Sequence, residues 1–287
     1  RGHRADPALR PGRAPGTGEI IMNWPWRMPR EWPWSTPYPL PRDTSQALLA
    51  EGHCENLGLL LERYLAFSSN RGQLQLLREL TDRSALVLDF STQQDLIDAH
   101  AARWRNMAEE MGAITFSARP HWRVVLGLGT NDILEGGIVL HPVFGFPVLP
   151  STSLKGVSRS YARWVLERPD EELDALLGMV EEDESRCGDL VFLEGSPLTP
   201  PVVERDVINP IFGAYYRDSK TPPANYLSPQ PIFFLALGAG STYQFGVASL
   251  SGDQKAAQQG VEWLQGALVD LGLGAKSAAG YGYWALD

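Results

Sequence analysis

Apolar residues in the first half of the chain recur every three or four positions, the spacing of a helix with one buried face. Three stretches show this pattern, at residues 56–67, 73–80 and 95–111. Gly112 follows the third stretch, and a glycine there can end a helix in the left-handed conformation. The pattern therefore predicts a helical region over residues 43–112.

The period changes to two within residues 113–129. Alternate positions there are apolar, namely Trp122, Val124, Leu126 and Leu128. This alternation is typical of a strand with one covered face. A second, short strand is predicted over residues 137–141.

Residues 146–161 join a loop, which stops at Pro150, to the start of a helix. Hydroxyl side chains at the first positions could cap the free amides of that helix. Apolar residues then follow at helical spacing and are expected to face a core: Leu154, Val157, Tyr161 and Trp164 or Val165. We expect this helix to end near residue 168 and a short second helix to follow over residues 170–177.

The second half of the chain predicts more strands than helices. We expect a buried strand at 189–193, a β-hairpin formed by 232–237 and 242–250, and a helix from Asp253 to about Leu271. Residues 196–231 are rich in proline and predict an irregular insertion with a strand at 202–207. From residue 115 onward the order is β-α-β-β-α-β. The predicted fold class is therefore α+β, with a ferredoxin-like (RRM-like) domain over 113–287.

Three basic residues lie four positions apart on the helix after Pro150. Lys155, Arg159 and Arg163 therefore share one side of it. The unpaired amides and the positive dipole end of a helix start favour an anion, as does the neighbouring basic stripe. An ordinary amphipathic helix with a solvated basic edge would have the same spacing, so both interpretations stay open.

The glycine-rich stretch 272–284 contains a Lys-Ser pair, which raises the question of a phosphate-binding P-loop. Two features exclude it: Ala275 precedes Lys276 where a P-loop has glycine, and the predicted order is helix, loop, strand. We interpret the glycines as positions where the backbone approaches a ligand, with Lys276 supplying charge. In a ferredoxin-like fold this loop and the start of the basic helix would be neighbours.

Two segments combine aromatic and basic residues. Residues 1–42 contain seven arginines and three acidic residues, and prolines separate their aromatic residues. We interpret them as an extended or disordered arm, either a passive tail or a partner-binding segment. In the insertion, Tyr215 and Arg217 suit stacking on unpaired bases, although a surface loop packed on the core is an equal alternative.

Candidate metal ligands and nucleophiles form no complete set. His53, His100 and Glu109 lack the short spacings of a helical metal site, so we expect no metal and no cofactor. Asp132 and Glu135 follow the first predicted strand and could serve as catalytic carboxylates, with His141 nearby. A turn is the simpler use of Asp132.

Composition narrows the classes of function. The 287 residues carry a net charge of −9, which argues against polyanion binding over the whole surface but allows a local basic groove. We expect no membrane span and no secretory signal, because long apolar runs are absent from the sequence. The two cysteines, Cys54 and Cys187, form no metal-binding or disulfide pattern. A cytoplasmic location follows as an expectation.

Several motifs together resemble one known family. Residues 149–156 followed by Arg159 resemble the P-x-S-S-L-K-G-x-x-R element of RAMP proteins from CRISPR systems, with Thr152 in place of the second serine. Residues 272–282 resemble their C-terminal glycine-rich loop. The stretches 127–129, 140–142, 206–210 and 222–229 are similar to those of the family of sixth subunits of the Cmr (type III-B) effector. The resemblance covers about residues 115–287.

The resemblance implies a non-catalytic subunit that holds the 3′ part of a guide RNA at one end of the effector. Implied partners are guide RNA, complementary target RNA, the repeated backbone RAMP, the small helical subunit and the other end-capping RAMP. Because the backbone RAMP cuts target RNA with an aspartate after its first strand, a metal-dependent endoribonuclease is the alternative. The expected RNA-binding residues are Ser151, Thr152, Ser153, Lys155, Arg159, Arg163, Tyr215, Arg217, Gly274, Lys276, Ser277 and Tyr281.

Overall fold

A computed structural model describes most of the chain from residue 87 onward. The described residues are 43, 56–62, 87–128, 138–180, 185–217, 222–223, 229 and 231–287. Outside them lie the predicted arm at 1–42, the predicted helix at 73–80 and the carboxylates Asp132 and Glu135.

The N-terminal helical region contains two described helices, α1 (Leu57–Glu62) and α2 (Gln94–Glu110), separated by a short strand β1 (Val87–Asp89). The helix predicted at 95–111 is thus confirmed, and Gly112 follows it with a φ of 63°. One face of α2 is buried at helical spacing: Ile97, His100, Ala101, Trp104 and Ala108. Strand β2 (Ile114–Pro120) comes directly after it.

The middle of the chain begins with helix α3 (Ser151–Trp164), which buries Leu154, Ser158 and Ala162. Ser158 satisfies its hydroxyl by donating to the carbonyl of Leu154 at 2.8 Å. The helix ends before Val165, earlier than predicted, so Trp164 and Val165 are exposed and do not face the core. Short elements follow: α4 (Asp170–Leu177), β3 (Met179–Val180), β4 (Ser185–Arg186), β5 (Leu190–Phe192) and β6 (Ser196–Pro197).

The described C-terminal part contains three long strands, one short helix, one long helix and one short final strand. Asp253 caps that helix as predicted, because its carboxylate accepts hydrogen bonds from the amides of Lys255 and Ala256. The elements are β7 (Val202–Ile208), α5 (Gly213–Arg217), β8 (Ile232–Leu237), β9 (Tyr243–Ser249), α6 (Gln254–Gly266) and β10 (Trp284–Leu286). A π-helical turn, Ala267–Leu271, extends α6.

The main sheet is antiparallel, with strand order β10-β2-β9-β5, and β6 also pairs with β9. Along the chain its elements run β2, α3, β5, β9, α6, β10. The first strand is residues 114–120, whereas the segment predicted at 122–128 contributes isolated bridges from Val124 and Val125. Helices therefore connect β2 to β5 and β9 to β10, in a mixed helix and antiparallel-sheet fold.

The predicted hairpin of 232–237 with 242–250 is wrong. Both strands exist, but β8 pairs with β7 in a separate sheet of order β1-β7-β8. Every residue of β9 is buried, and β2 pairs with one of its edges while β5 and β6 pair with the other. Because both edges of β9 are occupied, β8 cannot pair with it, and the turn at 238–241 leads from one sheet to the other.

Helices cover both faces of the main sheet. On one face, α3, α4 and α6 pack on the strands around Trp263, Phe245 and Leu154. On the other face, Trp104 and Ala108 of α2 pack against Leu193. Among the described helices, none combines the length and apolar character needed to cross a bilayer.

One buried hydrogen bond links the sheet to the loop before α3. Tyr243 of β9 is fully buried, and its hydroxyl donates to the carbonyl of Pro147 at 2.9 Å. We expect Tyr243→Phe to lower the free energy of unfolding by about 1–3 kcal/mol, because the carbonyl loses its partner in a dry environment. Chemical denaturation measures this change.

Tyr216 provides the matched control, because the same substitution removes a hydroxyl from a side chain that is 71% exposed. Tyr216→Phe should change stability by less than about 0.5 kcal/mol. Equal stability of the Tyr243→Phe variant and the wild type would contradict this account of the link.

Candidate nucleic-acid interface

The predicted basic side of α3 lines a cleft. Lys155, Arg159 and Arg163 share this cleft of about 630 Å³ with Asp170 and Asp174 of α4 and with residues around β3 and β4. The four-residue spacing thus places the three cations on one side, as the sequence predicted. Thr152 is exposed at the same opening.

Acidic residues of α4 form ion pairs with both arginines of this basic side. Arg159 pairs with Asp174 and donates to the carbonyl of Gly178 at 2.7 Å. Arg163 pairs with Asp170. These contacts hold α4 against α3, so both arginines have a structural role that the sequence analysis did not assign. Lys155 has no ion-pair partner among the described residues.

The start of α3 differs from the predicted cap. Pro150 occupies the N-cap position, and its carbonyl accepts hydrogen bonds from the amides of Ser153 and Leu154 at 2.9 and 3.1 Å. Ser151, Thr152 and Ser153 are therefore the first three helical residues, and hydroxyl capping from the N-cap position does not occur. Their amides belong to the helix turn that has the fewest intrahelical partners and the positive end of the dipole.

The glycines of the C-terminal loop lie against the protein's own backbone. A Cβ atom on Gly274 would be 2.3 Å from the carbonyl oxygen of Val125, and one on Gly282 would be 2.4 Å from that of Leu273. These contacts explain both glycines without a ligand, and the approach of the loop backbone to a ligand stays a prediction. Gly280 differs, because a Cβ there would point into open space.

Lys276 lies between the tight and the open part of this loop. It adopts the left-handed conformation, with a φ of 65°, which is uncommon for a residue other than glycine. A short 3-10 helix, Ser277–Ala279, follows it. The Lys276 ammonium lies 5.7 Å from the centroid of the Phe234 ring, so its charge is held beside the loop.

Tyr281 is buried and belongs to a hydrogen-bond network. Its hydroxyl donates to Asp206 at 2.6 Å. Arg123 donates to the same Asp206 oxygen at 2.8 Å and to Glu204 at 2.6 Å. Burial, and then the bond to Asp206, raise the pKa of Tyr281 to about 12. The hydroxyl of Tyr281, a residue predicted to bind RNA, thus ties the loop to β7.

This network was not predicted from the sequence. The period-two spacing of Glu204 and Asp206 places both carboxylates on one side of β7, and that signal was available. Nothing in the sequence pairs them with Arg123, which lies 81 and 83 positions away.

The glycine loop and the start of α3, which were predicted to be neighbours, lie at one end of the main sheet but at opposite edges of it. The glycine loop leads into Trp284, which pairs with Pro120 at the end of β2. Leu149, just before α3, bridges to Gly195, just after β5. Strands β10 and β5 are three strand spacings apart, or about 14 Å. The loop and the helix start are therefore neighbours along the sheet end without sharing the cleft.

The predicted stacking residues of the insertion, Tyr215 and Arg217, lie elsewhere. Tyr215 and Tyr216 are exposed on α5, with ring centroids 5.7 Å apart, and Arg217 ends that helix. None of these three residues lines the α3 cleft.

Three titratable groups converge between α2 and the main sheet. His100, His141 and Glu194 offer ligand atoms within 4.8 Å of one another. However, Nδ1 of His141 accepts hydrogen bonds from the amides of Val143 and Phe144 at 3.1 and 3.2 Å. A neutral ring with this pattern carries its proton on Nε2. A metal at Nε2 would move that proton to Nδ1, against two amide donors, so the residues fit a metal poorly.

We expect this cluster to make stability depend on pH. Burial, followed by the charges of His141 and Arg103, lowers the pKa of His100; burial and Arg103 lower that of His141. Below about pH 6.5 the unfolded chain therefore binds protons that the folded protein excludes. Stability should fall as the pH drops from 6.5 towards the folded pKa values, as thermal melting at several pH values would show.

His141→Asn is the control, because its amide oxygen can still accept from the two backbone amides but does not titrate. The variant should lose stability less steeply than the wild type over this range. Burial raises the pKa of Glu194, which acts in the opposite direction and is common to both proteins. Identical slopes would show that His141 does not contribute.

The glycine loop generates a second prediction. Gly274→Ala should destabilise the protein by more than Gly280→Ala. Both positions have positive φ values, 100° and 92°, so each variant carries a backbone strain of about 1–2 kcal/mol. Gly274→Ala adds the collision with Val125. Denaturant midpoints give the order, and equal losses would contradict the role assigned to that contact.

Comparison with known proteins relates this chain to one protein superfamily. Residues 123–284 match the RAMP superfamily. The chain is 26% identical to CRISPR system Cmr subunit Cmr6 of Pyrococcus furiosus, over 62% of this chain and 69% of that protein. The crystal structure of that Cmr6 aligns over 61% of this chain and 98% of its own, with a TM-score of 0.38.

A chain in the cryo-EM structure of the type III-B Cmr-beta complex bound to cognate target RNA has a similar fold. The TM-score is 0.54 at 17% identity, over 85% of this chain and 86% of that one. The superfamily match includes α3, strands β3 to β9 and the glycine loop, and it spans more than half of the chain. The protein is a member of the RAMP superfamily.

Proposed function

We propose that the protein is a non-catalytic, RNA-binding scaffold subunit of a type III-B CRISPR effector that serves in antiviral defence. In this proposal it holds the 3′ part of the guide RNA at one end of the complex. Its partners are the guide RNA, complementary target RNA and other Cmr subunits: the repeated backbone RAMP, the small helical subunit and the other end-capping RAMP. The similarity to Cmr6 over 69% of that protein carries the proposal.

The fold supports an RNA-binding subunit. We propose that the domain is ferredoxin-like, because its main sheet has the order β10-β2-β9-β5 with helices after β2 and after β9. Domains with this element order include RNA-recognition modules, whose sheets and loops bind single strands.

The start of α3 supports a phosphate contact. Lys155 lines the cleft with Thr152 and Gly156, and a Cβ on Gly156 would meet open space. Helix amides, a hydroxyl and a lysine thus converge at one opening, which suits an anion. Arg159 and Arg163 contribute less in this proposal, since their guanidinium groups already bind Asp174 and Asp170.

The alternative activity is a metal-dependent endoribonuclease based on Asp132, Glu135 and His141. Both carboxylates lie outside the described residues. Nδ1 of His141 already accepts hydrogen bonds from two backbone amides of its own turn, and this favours the non-catalytic role. Mg²⁺-dependent cleavage of RNA by the pure chain, lost in Asp132→Ala, would establish the nuclease instead.

We expect Lys155→Ala to weaken binding of a single-stranded guide RNA and to flatten its salt dependence. Each lost phosphate contact lowers the slope of log K against log salt concentration by about 1. Fluorescence anisotropy of labelled RNA over a series of salt concentrations measures both quantities.

Lys255→Ala is the matched control. This exposed lysine lies at the start of α6, which follows β9, so it is at the opposite end of the antiparallel sheet from the start of α3. The control should keep the slope of the wild type. A wild-type slope in Lys155→Ala as well would remove this lysine from the interface, and failure of the wild type to bind RNA would refute the proposed function.

A further inference from the structure

Trp122 is a large aromatic residue exposed beside the glycine loop. It follows β2 directly, and 44% of its surface is open to solvent. Its ring lies 4.7 Å from that of Tyr281. The guanidinium of Arg123 lies 5.2 Å from its centroid. The alternation in the sequence predicted that Trp122 is one of the covered positions of a strand, but its side chain is exposed.

The supports of Trp122 are themselves fixed. The Tyr281 hydroxyl and Nη1 of Arg123 donate to the same oxygen of Asp206, at 2.6 and 2.8 Å. Two donors on one oxygen tie the side chains of Tyr281 and Arg123 to the same carboxylate of β7. With both neighbours in place, Trp122 keeps 44% of its surface open to solvent.

Backbone hydrogen bonds hold the residues on either side of Trp122. The amide of His121 donates to the carbonyl of Tyr283, and the amide of Gly282 donates to that of Arg123, both at 2.8 Å. Trp122 therefore presents its ring from a backbone that is paired on both sides. A ring that is already ordered loses little conformational entropy when a ligand stacks on it.

The local charge favours an uncharged ligand group over a phosphate. Arg123, the cation seen beside this ring, is already paired with Glu204 and Asp206. A nucleobase meets these conditions, since it is a neutral aromatic ring that stacks on an indole face. The exposed tip of the loop at 278–280 leaves space beside it for the rest of a strand.

We propose that Trp122 is a stacking platform for an unpaired base of single-stranded RNA. The proposal rests on the proposed RNA-binding function and deepens it, because it adds a base contact to the phosphate contact at α3. Tyr281, Arg123 and Asp206 are positioning residues for this platform, since they act through the indole ring.

A thermodynamic cycle tests the platform with the full chain. Binding of a labelled single-stranded RNA and of the same strand with abasic sites is measured by anisotropy for the wild type, Trp122→Ala and Trp122→Tyr. Trp122→Ala should weaken binding of the intact strand about 5- to 150-fold and leave the salt slope unchanged, since no phosphate contact is lost. On the abasic strand the variant and the wild type should bind alike.

Two further variants control for folding and for general loss of an exposed aromatic. Trp122→Tyr keeps an aromatic face and should restore most of the affinity, with a melting temperature that confirms folding. Trp164→Ala removes another exposed tryptophan, 75% exposed at the end of α3, and should bind like the wild type.

Equal losses on the intact and abasic strands would overturn the platform and assign Trp122 a packing role. Wild-type affinity of Trp122→Ala for the intact strand would also overturn it and leave the ring as a surface for protein contacts. These results differ from failure of the proposed function, in which the wild-type chain itself binds neither strand.

Discussion

The constraint on which the rest of this structure depends is the complete burial of β9. Each of its seven residues is buried, and strands pair with both of its edges. Because β9 has no free edge, the segments before and after it cannot pair with it and must lie in another sheet or on a face of this one. For this reason β8 joins a second sheet, and α6 returns across the face to deliver the glycine loop to β10. The bond from Tyr243 to Pro147 fixes the approach to α3 from the same strand.

Electrostatic pairing within the protein sets what remains for a ligand. Acidic residues of α4 neutralise two arginines of the α3 stripe, and β7 neutralises Arg123. Of the described cations in α3 and the glycine loop, Lys155 and Lys276 have no ion pair, and they lie at two separated points on one end of the sheet. Within these two elements, the positive charge left for a ligand is therefore confined to two small areas. Such a distribution suits a flexible strand that touches the protein at intervals better than a continuous duplex.

The sequence was a good guide to the long helices and a poor guide to the partners of its charged side chains. Periodicity and an aspartate cap located α2, α3 and α6, because these signals act within a few residues. The turn at 238–241 has the composition of a hairpin, yet the same turn can also lead between sheets, and only tertiary packing distinguishes the two. Tyr281 looked available for RNA because its acceptor, Asp206, is 75 positions away. The ion pairs of Arg159 and Arg163 could have been inferred more easily than the bond of Tyr281, because their partners lie in the next helix, which begins with three acidic residues.

The contact between Gly274 and the Val125 carbonyl also divides the glycine-rich loop into two parts with different freedom to vary. At its base, the neighbouring backbone leaves no room for a side chain at Gly274. Substitutions there should be disfavoured regardless of which ligand the loop binds. Its tip around Gly280 has no such neighbour. Variation between related proteins, or changes introduced by an engineer, should therefore accumulate at residues 277–280. An altered ligand preference could arise at this tip without any change in the fold beneath it.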